Sequence, residues 1–310
     1  MRNLKIFVVG FLLVYPLLAM ADARDVPGEA SWYFYVDLEQ MRSAGPGKAV
    51  YDWLRDEVLD DVKEDSGLDI ERELDRVISY AVGDKEGVLV LEGDFSQNTR
   101  DIAMAFVASG GDIIPLKSSG KTYYQFAGDS ELPDEITYDA GNVAFSIDSL
   151  KEESYLSTDV KGKIIVTSTE GHMQELLANN GKIAGSRSHK GALMVLSAEK
   201  TLVQAGMRSA ALGADQWDSN VLRNTEQAAL LIAAVKDKLA FEANLTTTEA
   251  DMAESMASVV RGLISLASFD DDMDPEALAV LRGTRVEARG NSLSISMAIA
   301  PGIVVSTLRD

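Results

Sequence analysis

Two stretches of the chain share one pattern of apolar and polar positions. Residues 87–106, GVLVLEGDFSQNTRDIAMAF, begin with an apolar run, continue through a short polar segment and end with apolar positions at helical spacing. Residues 237–256, DKLAFEANLTTTEADMAESM, repeat that order 150 positions later without a gap, so that Leu89 aligns with Leu239 and Asp101 with Asp251. The pattern predicts a strand followed by a helix at both places. It also predicts a chain built from two related halves.

Each half extends this unit in the same order. In the first half, the aromatic run over 31–38, SWYFYVDL, predicts a strand, and apolar residues every four positions over 48–64 predict an amphipathic helix. We then predict a short helix capped by Asp69, strands over 77–82 and 87–91, a helix over 98–107, strands over 113–116, 122–126, 136–147 and 163–166, and a short helix that begins at the capping box 167–170. In the second half, we predict strands over 192–196, 228–235 and 239–245, helices over 202–212 and 248–266, a helix capped by Asp274, and closing strands over 285–288 and 292–298.

The shared order, β-α-β-β-α-β, is that of the ferredoxin-like arrangement. The predicted fold class is therefore α+β, with two ferredoxin-like halves, antiparallel sheets and appended strands and helices. The small polar segment 185–190, GSRSHK, predicts a boundary between a first domain at 22–188 and a second at 189–310. Strand residues such as Leu89, Val90 and Leu91 are apolar on both alternations, which favours packing of the two halves through sheet surfaces.

The N-terminus has the features of a signal peptide. Arg2 and Lys5 precede an apolar run over 6–18, and Ala19-Met20-Ala21 fits the small-x-small cleavage rule. The run is shorter than the roughly 20 residues of a membrane span, although an uncleaved anchor is the alternative. We therefore expect cleavage near Ala21 and a periplasmic or extracellular protein without a membrane span in its mature form.

The net charge narrows the classes of partner, and the cysteine content narrows the sources of stability and the kinds of membrane anchor. Cleavage would leave 289 residues (310 − 21) with 27 Lys+Arg against 49 Asp+Glu, a net charge of −22. Such acidity argues against nucleic acid and anionic membrane surfaces as partners, because both repel it. The chain has no cysteine, so disulfides cannot stabilise it in an oxidising compartment and a lipidated cysteine anchor is excluded.

An aromatic strand and an acidic stretch are the two candidate binding sites. Trp32, Tyr33 and Tyr35 could line a groove for a ligand, although consecutive aromatics in a strand more often divide between core and sheet surface. Asp270, Asp272 and Asp274 have the spacing that opens a calcium-binding loop. Proline at 275 and leucine at 281 replace the glycine and glutamate of that loop, so helix capping explains Asp274 equally well.

The remaining motifs are weaker evidence for a functional site. Ser119-Gly120-Lys121-Thr122 resembles the end of a phosphate-binding loop, but position 115 is proline and a strand follows, so we predict a turn. His172 and His189 share no helical spacing, and no G-x-S-x-G sequence is present. We expect no catalytic residue and no cofactor.

The WYFYVDL strand, the amphipathic helix after it and the repeated strand–helix unit resemble a group of exported bacterial proteins with paired α+β repeats. That resemblance implies no activity. Our prediction is a non-enzymatic binding protein of the cell envelope whose partner is another envelope protein. The alternatives are a carrier of a small apolar ligand and a hydrolase whose carboxylates are scattered in the sequence.

Overall fold

The computed structural model describes residues 30–43, 45–61, 63, 69–83, 86–109, 112–127, 153–183, 189, 191–200, 225–269 and 273–309. The signal peptide, the strand predicted over 136–147, the helix predicted over 202–212 and most of the predicted boundary at 185–190 lie outside these residues. Those assignments stay predictions.

The first part of the chain contributes seven of the described strands. They are β1 (Ala30–Asp37), β2 (Leu74–Val82), β3 (Glu86–Gly93), β4 (Ile113–Ser118), β5 (Lys121–Ala127), β6 (Glu153–Ser157) and β7 (Lys163–Thr167). Its described helices are α1 (Leu38–Ser43), α2 (Gly45–Leu54), α3 (Ile70–Glu73), α4 (Gln97–Ser109) and α5 (Glu170–Ala178), and a π-helical segment, Arg55–Leu59, continues α2.

The second part contributes five strands and three helices to the described residues. They are β8 (Ala192–Glu199), β9 (Thr225–Val235), β10 (Lys238–Thr247), β11 (Arg285–Arg289), β12 (Ser292–Ile299), α6 (Ala250–Ala267), α7 (Pro275–Gly283) and α8 (Pro301–Arg309). The predicted cap of α7 is confirmed: the Asp274 side chain accepts hydrogen bonds from the backbone N–H groups of Glu276 (2.7 Å) and Ala277 (3.2 Å). Helices α1 and α8 were not predicted.

All twelve strands of the described residues join one sheet, in the order β11-β12-β10-β9-β8-β1-β2-β3-β7-β6-β5-β4. Every ladder between neighbouring strands is antiparallel. The two parts of the chain meet where β1 pairs with β8, and Phe34 lies opposite Leu196 in that ladder. The sheet is therefore continuous across the centre of the molecule.

The predicted pair of ferredoxin-like halves is wrong. In that arrangement the first strand is parallel to a neighbour. The helical crossover that joins two parallel strands must carry the chain back along the full length of a strand. Here α1, α2 and α3 return the chain so that β2 pairs antiparallel with β1. Tight connections then make β3 and β10 antiparallel to β2 and β9. The free edges of β1 and β8 pair with each other, so these strands connect the two parts edge to edge rather than through sheet faces.

A repeat of connectivity does exist within this sheet. In both parts the first three strands form a meander, β1-β2-β3 and β8-β9-β10. A helix follows the third strand, α4 after β3 and α6 after β10. The last strand of each part, β7 or β12, then returns beside that third strand. The repeated sequence pattern at 87–106 and 237–256 thus lies on equivalent places in the sheet.

The sheet carries a core on each face, because strand side chains alternate between faces. The first core contains the buried tyrosines Tyr33, Tyr35 and Tyr80 together with residues of α5 such as Met173. The second core contains Val36 and residues of α1, α2, α4 and α8. A third, smaller cluster joins Met256 and Ala257 of α6 to Leu293 of β12. Apolar residues on both alternations of the central strands are explained by these two covered faces.

Candidate interaction surface

The local sequence of α6 explains why it forms a helix. Between Ala250 and Ala267 it has no proline and one glycine, Gly262, and it is rich in alanine, methionine and leucine, which favour helix. Apolar residues recur at 252, 256, 259, 263 and 266, with alternating spacings of four and three. This stripe predicts a helix with one apolar side directed toward the core.

Only the beginning of that stripe is buried. Met256 is 7% exposed and packs against the cluster that contains Leu293. Further along, Val259 is 62% exposed, Leu263 60% and Leu266 70%. Phe269, two residues after the helix ends, is 80% exposed. We call these four exposed residues the apolar ridge, and the expectation that the whole stripe is buried is wrong beyond Met256.

The geometry of the helix explains why the ridge is exposed. Each residue turns an α-helix by about 100°. Val260 and Ile264 lie one position after Val259 and Leu263, on the side of α6 that is half-buried. The ridge therefore runs along the flank of the helix, next to the buried side.

The opposite flank of α6 is fixed to the edge of the sheet by Arg261. Its guanidinium donates from Nε (3.2 Å) and Nη2 (3.0 Å) to the backbone oxygen of Val286 in β11. Its Nη1 donates to Glu254 Oε1 at 3.0 Å. β11 is the last strand of the sheet, so Arg261 occupies a backbone acceptor that an exposed edge would offer to another chain. This contact fixes the rotation of α6 and with it the direction of the ridge.

The residues predicted to bind a ligand through the aromatic strand are divided between the two faces of β1. Tyr33 is 1% and Tyr35 8% exposed, both within the first core, whereas Trp32 is half-buried. The Tyr33 hydroxyl is 3.0 Å from His189 Nε2, and the Tyr35 hydroxyl donates to Asp37 Oδ2 at 3.0 Å. Ligand binding by these three residues stays a prediction.

Of the predicted calcium ligands, the described residues include Asp274 alone. Its carboxylate caps α7 as described above, while Asp270 and Asp272 lie outside the described residues. Within the part of the chain that the structure describes, no cluster of three or more His, Cys, Asp or Glu side chains could hold a metal ion. The Ser119-Gly120 pair is the turn between β4 and β5, with positive φ at both residues, which confirms the turn prediction.

A group of partly buried charges forms a ladder across four strands. Asp37, Arg76, Glu92 and Lys163 lie directly opposite one another in β1, β2, β3 and β7. Arg76 Nε is 3.0 Å from Asp37 Oδ2 and its Nη1 is 3.6 Å from Glu92 Oε2, and Lys163 Nζ donates to Glu92 Oε1. Because each carboxylate faces a cation, the ladder has the geometry of a structural network rather than of a general acid and base.

A groove of about 450 Å³ lies between α2 and α8. Its walls are formed by Ala49, Gly302, Val305, Ser306 and Arg309. This volume is within the range of small-molecule sites. The groove is open to solvent and is formed by helices, not by the aromatic strand.

Signals for the ridge are present in the sequence, but they do not identify it. The spacing of Val259, Leu263 and Leu266 is that of a buried helix face, and sequence alone cannot show where the sheet beneath the helix ends. A further signal is the scarcity of charge: residues 255–269 contain one charged side chain, Arg261.

No helix among the described residues is long and apolar enough to span a membrane. No protein-family model and no curated protein matches the chain. Three crystal forms of the protein TP0453 are similar to it in structure, each at 12% sequence identity. Form IV has a TM-score of 0.47 and covers 95% of this chain and 99% of that one. Form III has 0.49, with 91% and 95%, and form I has 0.45, with 92% and 94%. A likeness at this level bears on neither chemistry nor partner.

Proposed function

We propose that this protein is a non-enzymatic binding protein of the cell envelope, exported and cleaved near Ala21, and that it docks another envelope component through the apolar ridge of α6. The observation that carries this proposal is the exposure of Val259, Leu263, Leu266 and Phe269, at 60–80% each. Exposed apolar side chains that lie singly are ordinary on protein surfaces, but contiguous ones indicate interaction sites.

The energy available at the ridge is sufficient for specific binding. Full burial of one Val, Leu or Phe side chain is worth about 1.5–3 kcal/mol. Tenfold in affinity corresponds to about 1.4 kcal/mol. Removal of one anchor should therefore weaken docking by about 10- to 100-fold. Because burial of an unpaired charge costs several kcal/mol more, replacement of the anchor by glutamate should weaken docking by at least about 100-fold.

The test is native mass spectrometry of the mature protein, purified gently from the envelope of its own host. We expect the wild-type chain in a discrete larger complex and Leu263→Glu at the bare mass of residues 22–310. Leu308→Glu is the matched control, since Leu308 is an exposed leucine on α8, 46% exposed and outside the ridge. Bare monomers for all three proteins, or one complex that is unaffected by Leu263→Glu, would overturn the proposal.

The carrier function has one observation in its favour, the groove between α2 and α8. Its lining is largely apolar, with Ala49 and Val305 in its walls and Arg309 as its cation. The same spectra test this alternative, because a carrier would retain an excess mass of a few hundred daltons. Val305→Glu places a charged side chain in the groove and should remove this excess mass. Leu263→Glu should leave it unchanged.

A further inference from the structure

We infer that the partner of α6 is a protein with an apolar groove bordered by basic residues, and that the apolar ridge enters this groove. The inference rests on the proposed function and names the kind of partner that the same surface fits. It follows from the spacing of the ridge and from the charges around it.

The spacing is that of a helix that binds in a groove. From Val259, the ridge continues at i+4 (Leu263), i+7 (Leu266) and i+10 (Phe269). Val259, Leu263 and Leu266 lie in one line along α6, like the residues by which an amphipathic helix enters a hydrophobic groove, and Phe269 follows two residues after the helix ends. Three exposed small residues, Ser258, Gly262 and Ser265, lie on the outer side of this line. They leave room for a groove wall to approach the helix backbone.

The charges near the ridge indicate which residues border the partner's groove. Between 255 and 269 the one charged residue is Arg261, which is engaged on the opposite flank by Glu254 and by the backbone of Val286. Asp251, an exposed acidic residue in the first turn of α6, precedes the ridge. The described residues from 249 to 269 carry three carboxylates, Glu249, Asp251 and Glu254, against Arg261, a net charge of −2 (1 − 3). Lysine and arginine at the border of the partner's groove would complement this field, which favours encounter and correct orientation.

Two other occupants fit less well. A second copy of this chain would bring the same acidic residues together in a protein of net charge −20. Helices that lie on anionic bilayers are rich in Lys and Arg on the polar face, whereas α6 and its N-cap carry one arginine and three carboxylates among the described residues.

The experiment is photo-cross-linking in the intact protein. Leu263 is replaced by p-benzoylphenylalanine in the full chain, expressed in its own host, and Leu308 is replaced in the same way as the control. After irradiation, the cross-linked peptide is identified by mass spectrometry. We expect an adduct from position 263 alone, with one protein, at a peptide that lines an apolar groove with Lys or Arg at its border.

Binding of that purified protein then tests the groove. Leu263→Glu should weaken the affinity by at least about 100-fold, with unchanged thermal melting because Leu263 is exposed. Asp251→Lys should weaken it several-fold at 50 mM salt and have no effect at 500 mM salt, because salt screens exposed charges. Glu287→Lys is an acid-to-base change at a half-buried residue of β11, away from the ridge, so it controls for net charge and should have a smaller effect.

Several outcomes would overturn the inference. They are an adduct at twice the mass of the chain, an adduct with lipid, or a partner whose affinity does not change with Asp251→Lys. If Leu263→Glu nevertheless abolishes the envelope complex in native mass spectrometry, the proposed function survives and only the choice of partner fails. Absence of both adduct and complex would overturn both.

Discussion

At the scale of single residues, the sharpest constraint in the chain is the glycine at the end of β3. Gly93 N–H donates to the backbone oxygen of Gly162 (3.0 Å), and the next N–H, of Asp94, donates to that of Glu73 (3.0 Å). A Cβ atom at position 93 would overlap the Glu73 carbonyl oxygen. In the repeated pattern the aligned residue is Ala243, so the constraint comes from the end of α3 beside β3 and not from the repeat itself.

We therefore predict that Gly93→Ala lowers the free energy of unfolding by about 3 kcal/mol, the upper end of what overpacking costs. Gly87→Ala is the control in the same strand, because a Cβ at position 87 meets no atom within 4 Å. It should be neutral or stabilise the protein by about 0.5 kcal/mol through the unfolded chain. Urea denaturation of the two variants measures the difference, and equal losses would contradict the explanation.

At the scale of elements, the charge ladder couples four neighbouring strands. Asp37 is its least exposed member, with 8% of its side chain accessible against 35% for Arg76. The Asp37 carboxylate also accepts from the Gln40 N–H at 2.8 Å, at the start of α1. Removal of Arg76 would leave a buried carboxylate without its cation, which costs more than an exposed ion pair contributes.

We predict that Arg76→Met lowers the free energy of unfolding by about 2 kcal/mol, less than for a fully buried pair because Arg76 is partly solvated. Lys48→Met is the control. It removes an exposed i,i+4 pair with Asp52 (2.8 Å) and should cost no more than about 0.5 kcal/mol. Asp37→Asn in the Arg76→Met background should recover part of the loss, since asparagine can still cap α1. Equal losses for the two single variants, without recovery, would show that the ladder contributes only surface pairs.

At the scale of the whole molecule, buried tyrosines make the stability of the fold depend on pH in the alkaline range. Tyr33 and Tyr80 lie opposite each other in β1 and β2 and share the first core with Tyr35. Burial, followed by the nearby charge of Glu175, raises the pKa of Tyr80 to about 12 from an ordinary value of 10.0. The pKa values of Tyr33 and Tyr35 are also raised above the ordinary value. Burial is the main cause, and nearby ionisable side chains are the second.

The sign of the pH dependence follows from these directions. Above pH 10 an unfolded tyrosine loses its proton while the folded one keeps it, so the unfolded state binds fewer protons and stability falls as pH rises. For Tyr80, the stabilisation is complete below about pH 10 and is lost progressively toward about pH 12. Each such tyrosine contributes a slope of up to about 1.4 kcal/mol per pH unit.

We predict that Tyr80→Phe makes the alkaline slope shallower by up to this amount, as measured by urea denaturation at pH 8, 10 and 11. Val88→Ala removes a buried apolar side chain, 2% exposed, from the same core. It should lower stability equally at all three pH values, because alanine and valine do not titrate. The same slope in the wild type and in Tyr80→Phe would count against the assignment.

The sequence by itself determined the local elements. Alternation and aromatic content predicted β1, the repeat predicted β3 with α4 and β10 with α6, and Asp274-Pro275 predicted the start of α7. These features depend on residues close together in the chain, so a single sequence contains the information for them. The pattern also located the apolar stripe from Met252 to Leu266.

Only the tertiary structure decided how these elements are joined and which of them are covered. The pairing of β1 with β8 brings together residues such as Phe34 and Leu196, whose separation in sequence leaves no periodic signal. For the same reason the charge ladder could not be found in advance, because its four residues come from four strands. The apolar stripe of α6 has one spacing throughout, yet Met256 is buried and Leu263 is exposed. What lies under a helix depends on where the sheet ends, and that is a property of the assembled chain.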